Sequence, residues 1–362
     1  MSIKKYGIVG LPNVGKSTLF NALTNSLSAA AENYPFCTIE PNIAVVSVPD
    51  ERLHRLAKIA GSQKIISTHV EFVDIAGLVK GASKGEGLGN KFLSHIREVD
   101  CIIYVLRCFH DENVTHVEGR VNPIEDLQIL RMEFMLADIE SLEKRIPKLT
   151  KMARQDKEAV AILKVAESLI QTLSAGNPVS SIMNEENSAI INSFQLLSSK
   201  KELYVCNVNE SECVSGNDFS RQFNEFVNNT SIVLSAKIEQ DIANMTDEEE
   251  KKWFMEQYGI KDSGLNKLIR LAYDTLDLIT FFTIGPKEAR AWSIENGINA
   301  PKAAGCIHTD FEKGFIRAEV IGYEDYISYA SEAEIKAAGK SRLEGRDYIM
   351  KDGDVVHFRF NV

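Results

Sequence analysis

Residues 10–17 read Gly-Leu-Pro-Asn-Val-Gly-Lys-Ser, and they directly follow the short apolar stretch 6–9. Apolar residues then recur at helical spacing at Leu19, Phe20 and Leu23. A strand, a glycine-rich turn and a helix in this order open an α/β unit and form a phosphate-binding loop, or P-loop. The stretch therefore predicts an α/β fold with a site for a nucleoside triphosphate.

The same motif assigns roles to its residues. Gly10 and Gly15 let backbone N–H groups turn towards the β- and γ-phosphates, and Lys16 places a positive charge on them. Ser17 offers its hydroxyl to Mg²⁺ at the N-terminus of the helix, where the helix dipole favours an anion. We expect the nucleotide to contact Asn13, Val14, Gly15, Lys16, Ser17 and Thr18, with Lys16 also acting in catalysis.

Further apolar stretches complete the predicted sheet, at residues 70–74, 102–106, 203–207 and 232–235. One crossover helix would normally join the middle two, because a whole βαβ unit takes about 30 residues. The intervening chain is much longer, so roughly 70 residues form an insertion. The pattern predicts a P-loop domain from residues 1–126 and 201–278, with residues 127–200 as an inserted arm.

Two apolar stripes with alternating spacings of four and three predict that the arm is a coiled-coil-like helical hairpin. The stripes comprise Met135, Ile139, Leu142, Ile146, Leu149 and Ala153, then Ile162, Leu163, Ala166, Leu169, Ile170 and Leu173. Residues 155–156 lie between them, and Pro147 is expected to kink the first helix. Beyond residue 280, short β-rich stretches at 291–294, 315–320 and 355–360 predict a C-terminal α+β domain over residues 279–362.

Candidate metal ligands follow the P-loop in the chain. Asp74 ends a predicted strand in residues 74–77, Asp-Ile-Ala-Gly, where it would hold Mg²⁺ through a water. The N–H of Gly77 would then sense the γ-phosphate and act in catalysis. Thr38 lies in a loop flanked by prolines between the two motifs, and its hydroxyl would complete the metal shell. The predicted Mg²⁺ ligands are therefore Ser17, Thr38 and Asp74.

Two later motifs lie where a nucleotide base is expected. Residues 207–210 read Asn-Val-Asn-Glu, whereas guanine recognition calls for Asn-Lys-x-Asp. Val208 replaces the lysine, and Glu210 is one methylene longer than the aspartate. The carboxamide of Asn207 can pair with the N6 donor and N7 acceptor of adenine, so the motif favours ATP over GTP. Ser235 and Ala236, in the tripeptide Ser-Ala-Lys, are expected against the base and ribose.

Composition bounds the class of protein. The chain has 362 residues, 44% hydrophobic and 25% charged, with a net charge of −10. Such a chain is too long for one compact core, and its overall charge does not attract nucleic acid, so an RNA contact requires a local basic patch. The six cysteines form no Cys-x-x-Cys pair, which favours reduced thiols in a cytosol. No signal peptide and no membrane-spanning apolar run is recognisable, so we expect a cytoplasmic protein that does not enter a membrane.

The order of these motifs resembles the Obg-related branch of the translation-factor class of GTPases, and more narrowly the YchF/Obg-like ATPase family. Two stretches carry the narrower resemblance. Residues 72–90 read Phe-Val-Asp-Ile-Ala-Gly-Leu-Val-Lys-Gly-Ala-Ser-Lys-Gly-Glu-Gly-Leu-Gly-Asn, and residues 308–318 read His-Thr-Asp-Phe-Glu-Lys-Gly-Phe-Ile-Arg-Ala. The resemblance covers essentially the whole chain and implies that the C-terminal domain is a TGS domain.

The resemblance also implies an activity and a partner. It implies hydrolysis of ATP in preference to GTP and an association with ribosomes (the large subunit or the 70S particle), translation and stress responses. Leu78 stands where many GTPases carry a glutamine that orients water. His116 is the candidate replacement, because family members carry a histidine in the matching segment and an imidazole can orient or deprotonate water. The alternative is that His116 is exposed and inert.

Asn13 and the basic residues of the arm each allow two interpretations. Asn13 is a candidate ligand for K⁺, whose charge would replace an arginine finger, or it serves only loop packing. The basic residues of the arm are either a ribosomal RNA footprint or a solvated face; they are Lys144, Arg145, Lys148, Lys151, Arg154, Lys157 and Lys164. The protein is accordingly an ATPase switch, a ribosome- or RNA-binding module that uses nucleotide as an effector, or a GTPase, and we expect it to be a monomer.

Overall fold

Two six-stranded sheets and a helical arm make up the computed structural model, which describes residues 3–26, 42–75, 88–111, 119–329 and 332–361. The strands are β1 (Lys5–Val9), β2 (Ile43–Ser47), β3 (Lys64–Ile66), β4 (His69–Asp74), β5 (Cys101–Arg107), β6 (Lys201–Asn207), β7 (Ser231–Leu234), β8 (Leu278–Ile284), β9 (Glu288–Glu295), β10 (Phe315–Gly322), β11 (Arg342–Glu344) and β12 (Asp354–Phe360). The helices are α1 (Lys16–Asn25), α2 (Glu51–Ala60), α3 (Leu88–Arg97), α4 (Pro123–Met152), α5 (Lys157–Ser174), α6 (Ser188–Ser193), α7 (Asp218–Phe226), α8 (Ala236–Asn244), α9 (Glu248–Gln257), α10 (Gly264–Thr275), α11 (Ala300–Ile307), α12 (Thr309–Lys313), α13 (Tyr323–Ile327) and α14 (Glu332–Ala337).

The first sheet has the strand order β2-β4-β1-β5-β6-β7. Only β2 runs antiparallel to its neighbour, so the carboxyl ends of the other five strands meet at one edge. Every residue of β5 is buried, as expected for a parallel strand covered on both faces. In open α/β sheets, ligands bind outside the carboxyl ends of the strands. The fold therefore places the P-loop and the predicted base motifs at a common edge.

The second sheet has the order β11-β10-β12-β8-β9-β3 and includes a strand from the first half of the chain. Lys64 of β3 lies opposite Glu288 of β9 in parallel pairing. Helix α2 covers the same sheet, where Leu53 and Leu56 pack in a cluster with Phe282. The predicted P-loop domain of residues 1–126 thus includes a segment that packs outside the first sheet. Its α2–β3 segment is structurally part of the C-terminal sheet, because its apolar face is buried there.

Helix α4 belongs to both the P-loop domain and the arm. It starts at Pro123, before the predicted boundary at residue 127, with Asn122 as its N-cap. Its first half packs Leu127, Leu130 and Phe134 into the core of the first sheet. The helix serves there as the crossover between β5 and β6, and it then continues outwards through Pro147 to Met152. The boundary between core and arm therefore lies inside one helix.

The arm itself has a small apolar core. The predicted stripe residues Leu142, Ala166, Leu169 and Leu173 are buried there. The returning chain also contributes Val179, Ile191, Phe194 and Leu196, from α6 and the short turns beside it. The predicted helix pair is confirmed, but the arm is more than a hairpin, since residues after α5 fold back against it.

A search of the described residues for membrane spans finds no helix that combines the length and hydropathy needed to cross a bilayer.

Candidate nucleotide site

The P-loop connects β1 to α1 in a strongly curved path. A Cβ atom on Gly10 would lie 2.7 Å from the carbonyl oxygen of Val105, so no side chain fits where the loop crosses β5. Asn13 and Gly15 both have positive φ, 64° and 93°, a conformation that glycine and asparagine tolerate best. Lys16 then begins α1, so the unpaired N–H groups of its first turn face the loop. This is the arrangement that binds phosphate groups in P-loops.

Lys16 and Asp74 form a direct ion pair, the ammonium of Lys16 contacting the Asp74 carboxylate. Asp74 is the last residue of β4 and lies opposite Ile8 of β1. The side chains of Lys16 and Asp74 are only 11% and 17% exposed, so little water screens the pair. Ser17 follows on the exposed side of the first helical turn. The structure therefore brings together the predicted phosphate-binding lysine and two of the predicted metal ligands.

Asn207 connects three parts of the site. Its Nδ2 atom donates to the carbonyl oxygen of Val14 (2.9 Å), and its Oδ1 atom accepts from the N–H of Ala236 (2.9 Å). The residue is 5% exposed. Asn207 thereby holds the P-loop and the Ser-Ala-Lys loop on the end of β6. A carboxamide has two N–H groups and two acceptor positions, so one of each remains for a further bond.

Gly15 makes this connection possible. A Cβ atom there would lie 2.2 Å from Nδ2 of Asn207, far inside van der Waals contact. The second glycine of the motif therefore serves the loop conformation and also gives the Asn207 amide access to Val14. Sequence reasoning had assigned Gly15 to phosphate binding only, so this second role comes from the structure.

The other residues of the base motif are less constrained by contacts. Val208 is buried, and its N–H donates to the carbonyl oxygen of Leu234, which continues the pairing of β6 with β7 (3.0 Å). Glu210 is exposed at the start of a 3₁₀ turn over Glu210–Glu212. The carboxylate that is held by neighbours is that of Glu212, which accepts from Asn217 Nδ2 (2.8 Å). Ser235 and Ala236 are both buried beside the Asn207 amide.

Sequence reasoning missed two buried charged residues beside the site. Glu239, on α8, accepts from the N–H of Gly264 (2.7 Å) and the hydroxyl of Ser263 (2.7 Å), and so caps α10. Arg107 is 2% exposed at the end of β5, and its Nε atom donates to the carbonyl oxygen of Phe109 (3.1 Å). Neither belongs to a recognisable motif. Glu239 fixes its segment by a contact with a distant part of the chain, whereas Arg107 bonds locally to the segment that follows β5.

Three predicted site residues, Thr38, Gly77 and His116, lie outside the described residues. Their assignments as metal ligand, γ-phosphate sensor and water-positioning group remain predictions.

The mainly parallel sheet, the P-loop at its carboxyl edge and the carboxylate at the end of β4 define a P-loop nucleoside triphosphate-binding protein. Two family models match the chain, and the first of them agrees with this class. Residues 5–136 match MMR_HSR1, described as a 50S ribosome-binding GTPase, and residues 278–361 match YchF-GTPase_C, described as a protein of unknown function. The second model covers the predicted TGS domain.

Relatives identify the family. The chain is 51% identical to the ribosome-binding ATPase YchF of Bacillus subtilis, covering 98% of this chain and 99% of that protein. It is 50% identical to the ribosome-binding ATPase YchF of Escherichia coli O157:H7, covering 99% of both. The solved structure of the Schizosaccharomyces pombe YchF GTPase matches with a TM-score of 0.89 and 38% identity, over 99% of this chain and 98% of that one. The chain belongs to the YchF family.

Proposed function

We propose that the protein hydrolyses ATP to ADP and phosphate as a slow, Mg²⁺-dependent molecular switch that binds ribosomes. The observation that carries the choice of ATP is the position of the Asn207 amide, buried at the base edge of the site with one N–H and one acceptor position to spare. Adenine offers a matching N7 acceptor and N6 donor. Guanine presents a second acceptor in place of that donor, so the same amide pairs with it less completely.

The names of the relatives differ in the nucleotide that is hydrolysed. The bacterial relatives are named ATPases, and the Schizosaccharomyces pombe protein is named a GTPase. GTP hydrolysis is therefore the principal alternative activity. Val208 and Glu210 depart from the guanine-binding pattern Asn-Lys-x-Asp. Val208 lacks the charge of the lysine, and Glu210 is one methylene longer than the aspartate, so neither reproduces that pattern.

The residues of the site fit a magnesium nucleotide. Ser17 and Asp74 supply oxygen atoms, the ligands that Mg²⁺ prefers, and Thr38 is the third proposed ligand. When bound, Mg²⁺ would neutralise phosphate charge. The ion pair between Lys16 and Asp74 must open for this function, so that Lys16 can turn to the phosphates. K⁺ at Asn13 remains a separate proposal, whose test compares turnover in K⁺ and Na⁺ buffers; equal turnover would exclude it.

Slow turnover follows from the position of Leu78, where a water-orienting glutamine is missing. We assign the orientation of water to His116 and the sensing of the γ-phosphate to Gly77. A His116→Ala variant should lower the single-turnover rate of ATP hydrolysis, and an unchanged rate would remove His116 from the mechanism. If intrinsic turnover is negligible even with ribosomes, the protein is chiefly a binding module in which nucleotide sets the conformation.

The arm supports the ribosome contact by its charge. Residues 144–164 hold seven Lys or Arg against two Asp or Glu, a net charge of +5 in a chain of net charge −10. All seven basic side chains are exposed. Lys144 pairs with Glu140, but no described residue forms an ion pair with Lys148, Lys151 or Arg154. Such a patch can replace the counterions of an RNA backbone. We therefore propose a cytoplasmic monomer that contacts ribosomal RNA through the arm.

The direct test of the proposed function measures phosphate release from ATP with Mg²⁺ present or chelated, and with or without 70S ribosomes. The proposal expects Mg²⁺-dependent release of phosphate and co-sedimentation with ribosomes. Hydrolysis that is independent of Mg²⁺, or failure to pellet with ribosomes in any nucleotide state, would contradict it.

A further inference from the structure

Helix α9 carries a prominent exposed aromatic side chain. The chain has two tryptophans. Trp292 is partly buried, and its indole N–H donates to the hydroxyl of Thr283 (2.9 Å). Trp253, in contrast, is 61% exposed, and none of the residues of α9 is fully buried. Tryptophan is enriched among the residues that dominate binding near the centres of protein interfaces.

Three carboxylates surround Trp253. Glu249, Glu250 and Glu256 stand four and three residues before it and three residues after it, so helical geometry places all of them on its face. All three are exposed. Lys251 lies 3.9 Å from Glu248, and the exposed Lys252 directly precedes Trp253. The exposed side of α9 is therefore an indole with a rim of three carboxylates and one lysine, which is negative overall.

Both ends of helix α9 are capped by hydrogen bonds. Its N-cap Asp247 accepts from the N–H groups of Glu249 (2.8 Å) and Glu250 (3.0 Å). At the other end Gly259 has a φ of 69°, and the N–H of Ile260 donates to the carbonyl oxygen of Met255 (2.8 Å). These caps favour an ordered helix. The helix that presents the face can thus form before any partner arrives.

We propose that this face, formed by Trp253 with Glu249, Glu250 and Glu256, docks a lysine- or arginine-rich segment of a partner protein. A Lys or Arg side chain can stack on the indole as a cation–π pair while the carboxylates bind its charge. The stem of the same side chain covers the apolar ring. Nucleic acid is disfavoured, because the net negative charge of the rim repels phosphate. The α9 face and the basic arm therefore select opposite kinds of partner.

The test uses a short fluorescein-labelled peptide rich in Lys and Arg, titrated into the full-length protein and followed by anisotropy. A Glu-rich peptide of equal length and a single-stranded RNA are the comparison probes. The Trp253→Phe variant should bind the basic peptide more weakly, and Trp253→Ala should lose about tenfold or more in affinity, as at interface hot spots. The triple variant Glu249→Gln/Glu250→Gln/Glu256→Gln should also bind weakly and lose much of the salt dependence.

A matched control is needed, because a chain of net charge −10 attracts any basic peptide. The triple variant Glu185→Gln/Glu186→Gln/Glu225→Gln removes three exposed carboxylates elsewhere and leaves α9 intact. Its affinity should match the parent protein. The proposal is overturned if this control weakens binding as much as the α9 variants do, if Trp253→Ala binds like the parent, or if the RNA binds in a Trp253-dependent manner. Circular dichroism of each variant confirms that α9 has not unfolded.

Discussion

The two ends of β6 are held by two different buried polar side chains. At the carboxyl end, Asn207 joins the P-loop carbonyl of Val14 to the N–H of Ala236. Just before the amino end, Asp138 of α4 accepts from the N–H groups of Leu197 (2.9 Å) and Ser198 (2.8 Å) as the chain returns from the arm. Both side chains form hydrogen bonds with buried backbone groups, and leaving those groups unpaired would lower stability.

The two ends differ in what else they can do. Asn207 is adjacent to the phosphate-binding loop and retains hydrogen-bonding capacity for a ligand. Asp138 is fully buried, and it also accepts from the Ser198 hydroxyl (2.7 Å). Burial raises the pKa of the Asp138 carboxyl, although these hydrogen bonds oppose the shift. Similar hydrogen bonding thus serves a ligand site at one end of the strand and only the attachment of the arm at the other.

The largest effect should come from Lys16→Ala at the nucleotide end. It removes the charge that contacts the phosphates, and the loss of one such group lowers a rate by about a hundredfold or more. Single-turnover ATP hydrolysis measures this, with Lys302→Ala, an exposed lysine on α11, as the control. A Lys16→Ala rate equal to that of the control would remove Lys16 from the mechanism.

Replacing Asn207 should damage both stability and binding. Asn207→Ala leaves the Val14 carbonyl and the Ala236 N–H without this partner, which should lower the free energy of unfolding by about 2–4 kcal/mol. ATP affinity should fall in the same variant by about tenfold. Urea denaturation and calorimetry measure the two quantities. Asn207→Asp keeps an acceptor for Ala236 but places a buried carboxylate against the carbonyl oxygen of Val14, so its stability should fall at least as far as that of Asn207→Ala; a stability equal to that of the parent would contradict the connecting role.

Replacing Asp138 should lower stability without changing ATP binding. Asp138→Ala removes the acceptor of two backbone N–H groups, which should lower the free energy of unfolding by about 2–4 kcal/mol. Because Asp138 lies at the opposite end of β6, the affinity of the folded protein for ATP should not change. Urea denaturation followed by ATP titration at low temperature checks both. A loss of ATP affinity as large as that of Asn207→Ala would show that the two ends are coupled.

The smallest effect should come from the surface of the arm. Lys148→Glu combined with Lys151→Glu should weaken co-sedimentation with ribosomes, most strongly at low salt, and leave stability and ATP binding intact. The pair Lys58→Glu/Lys302→Glu reverses two exposed charges outside the arm and should pellet like the parent. If the arm variant also pellets like the parent, the arm is not the contact.

The nucleotide end could be predicted because its chemistry requires fixed residues at fixed spacing. The P-loop, Asp74 and Asn207 all lie at the edge of the sheet where the motif order placed them. The buried faces of the two arm helices could be predicted in the same way, because apolar residues at helical spacing indicate which face is buried. In each of these cases the signal is contained in a short stretch of chain.

The features that sequence reasoning missed depend on contacts between distant residues. The sequence around Asp138 indicates only a polar residue on a helix. Its role depends on Leu197 and Ser198, whose N–H groups donate to it in the folded chain. The three-residue strand β3 pairs with β9, more than two hundred positions away, so no local pattern assigns it to the C-terminal sheet. The predicted boundary between core and arm at residue 127 falls inside α4, because the helix passes from core to arm without interruption.

The proposed function depends most directly on which nucleotide the Asn207 edge of the site selects. Calorimetric titration of the full-length protein with ATP and with GTP, each with Mg²⁺, measures that selection in one comparison. We expect ATP to bind more tightly than GTP, by about tenfold or more, and Asn207→Ala to reduce this preference. Equal affinities, or tighter binding of GTP, would contradict this expectation.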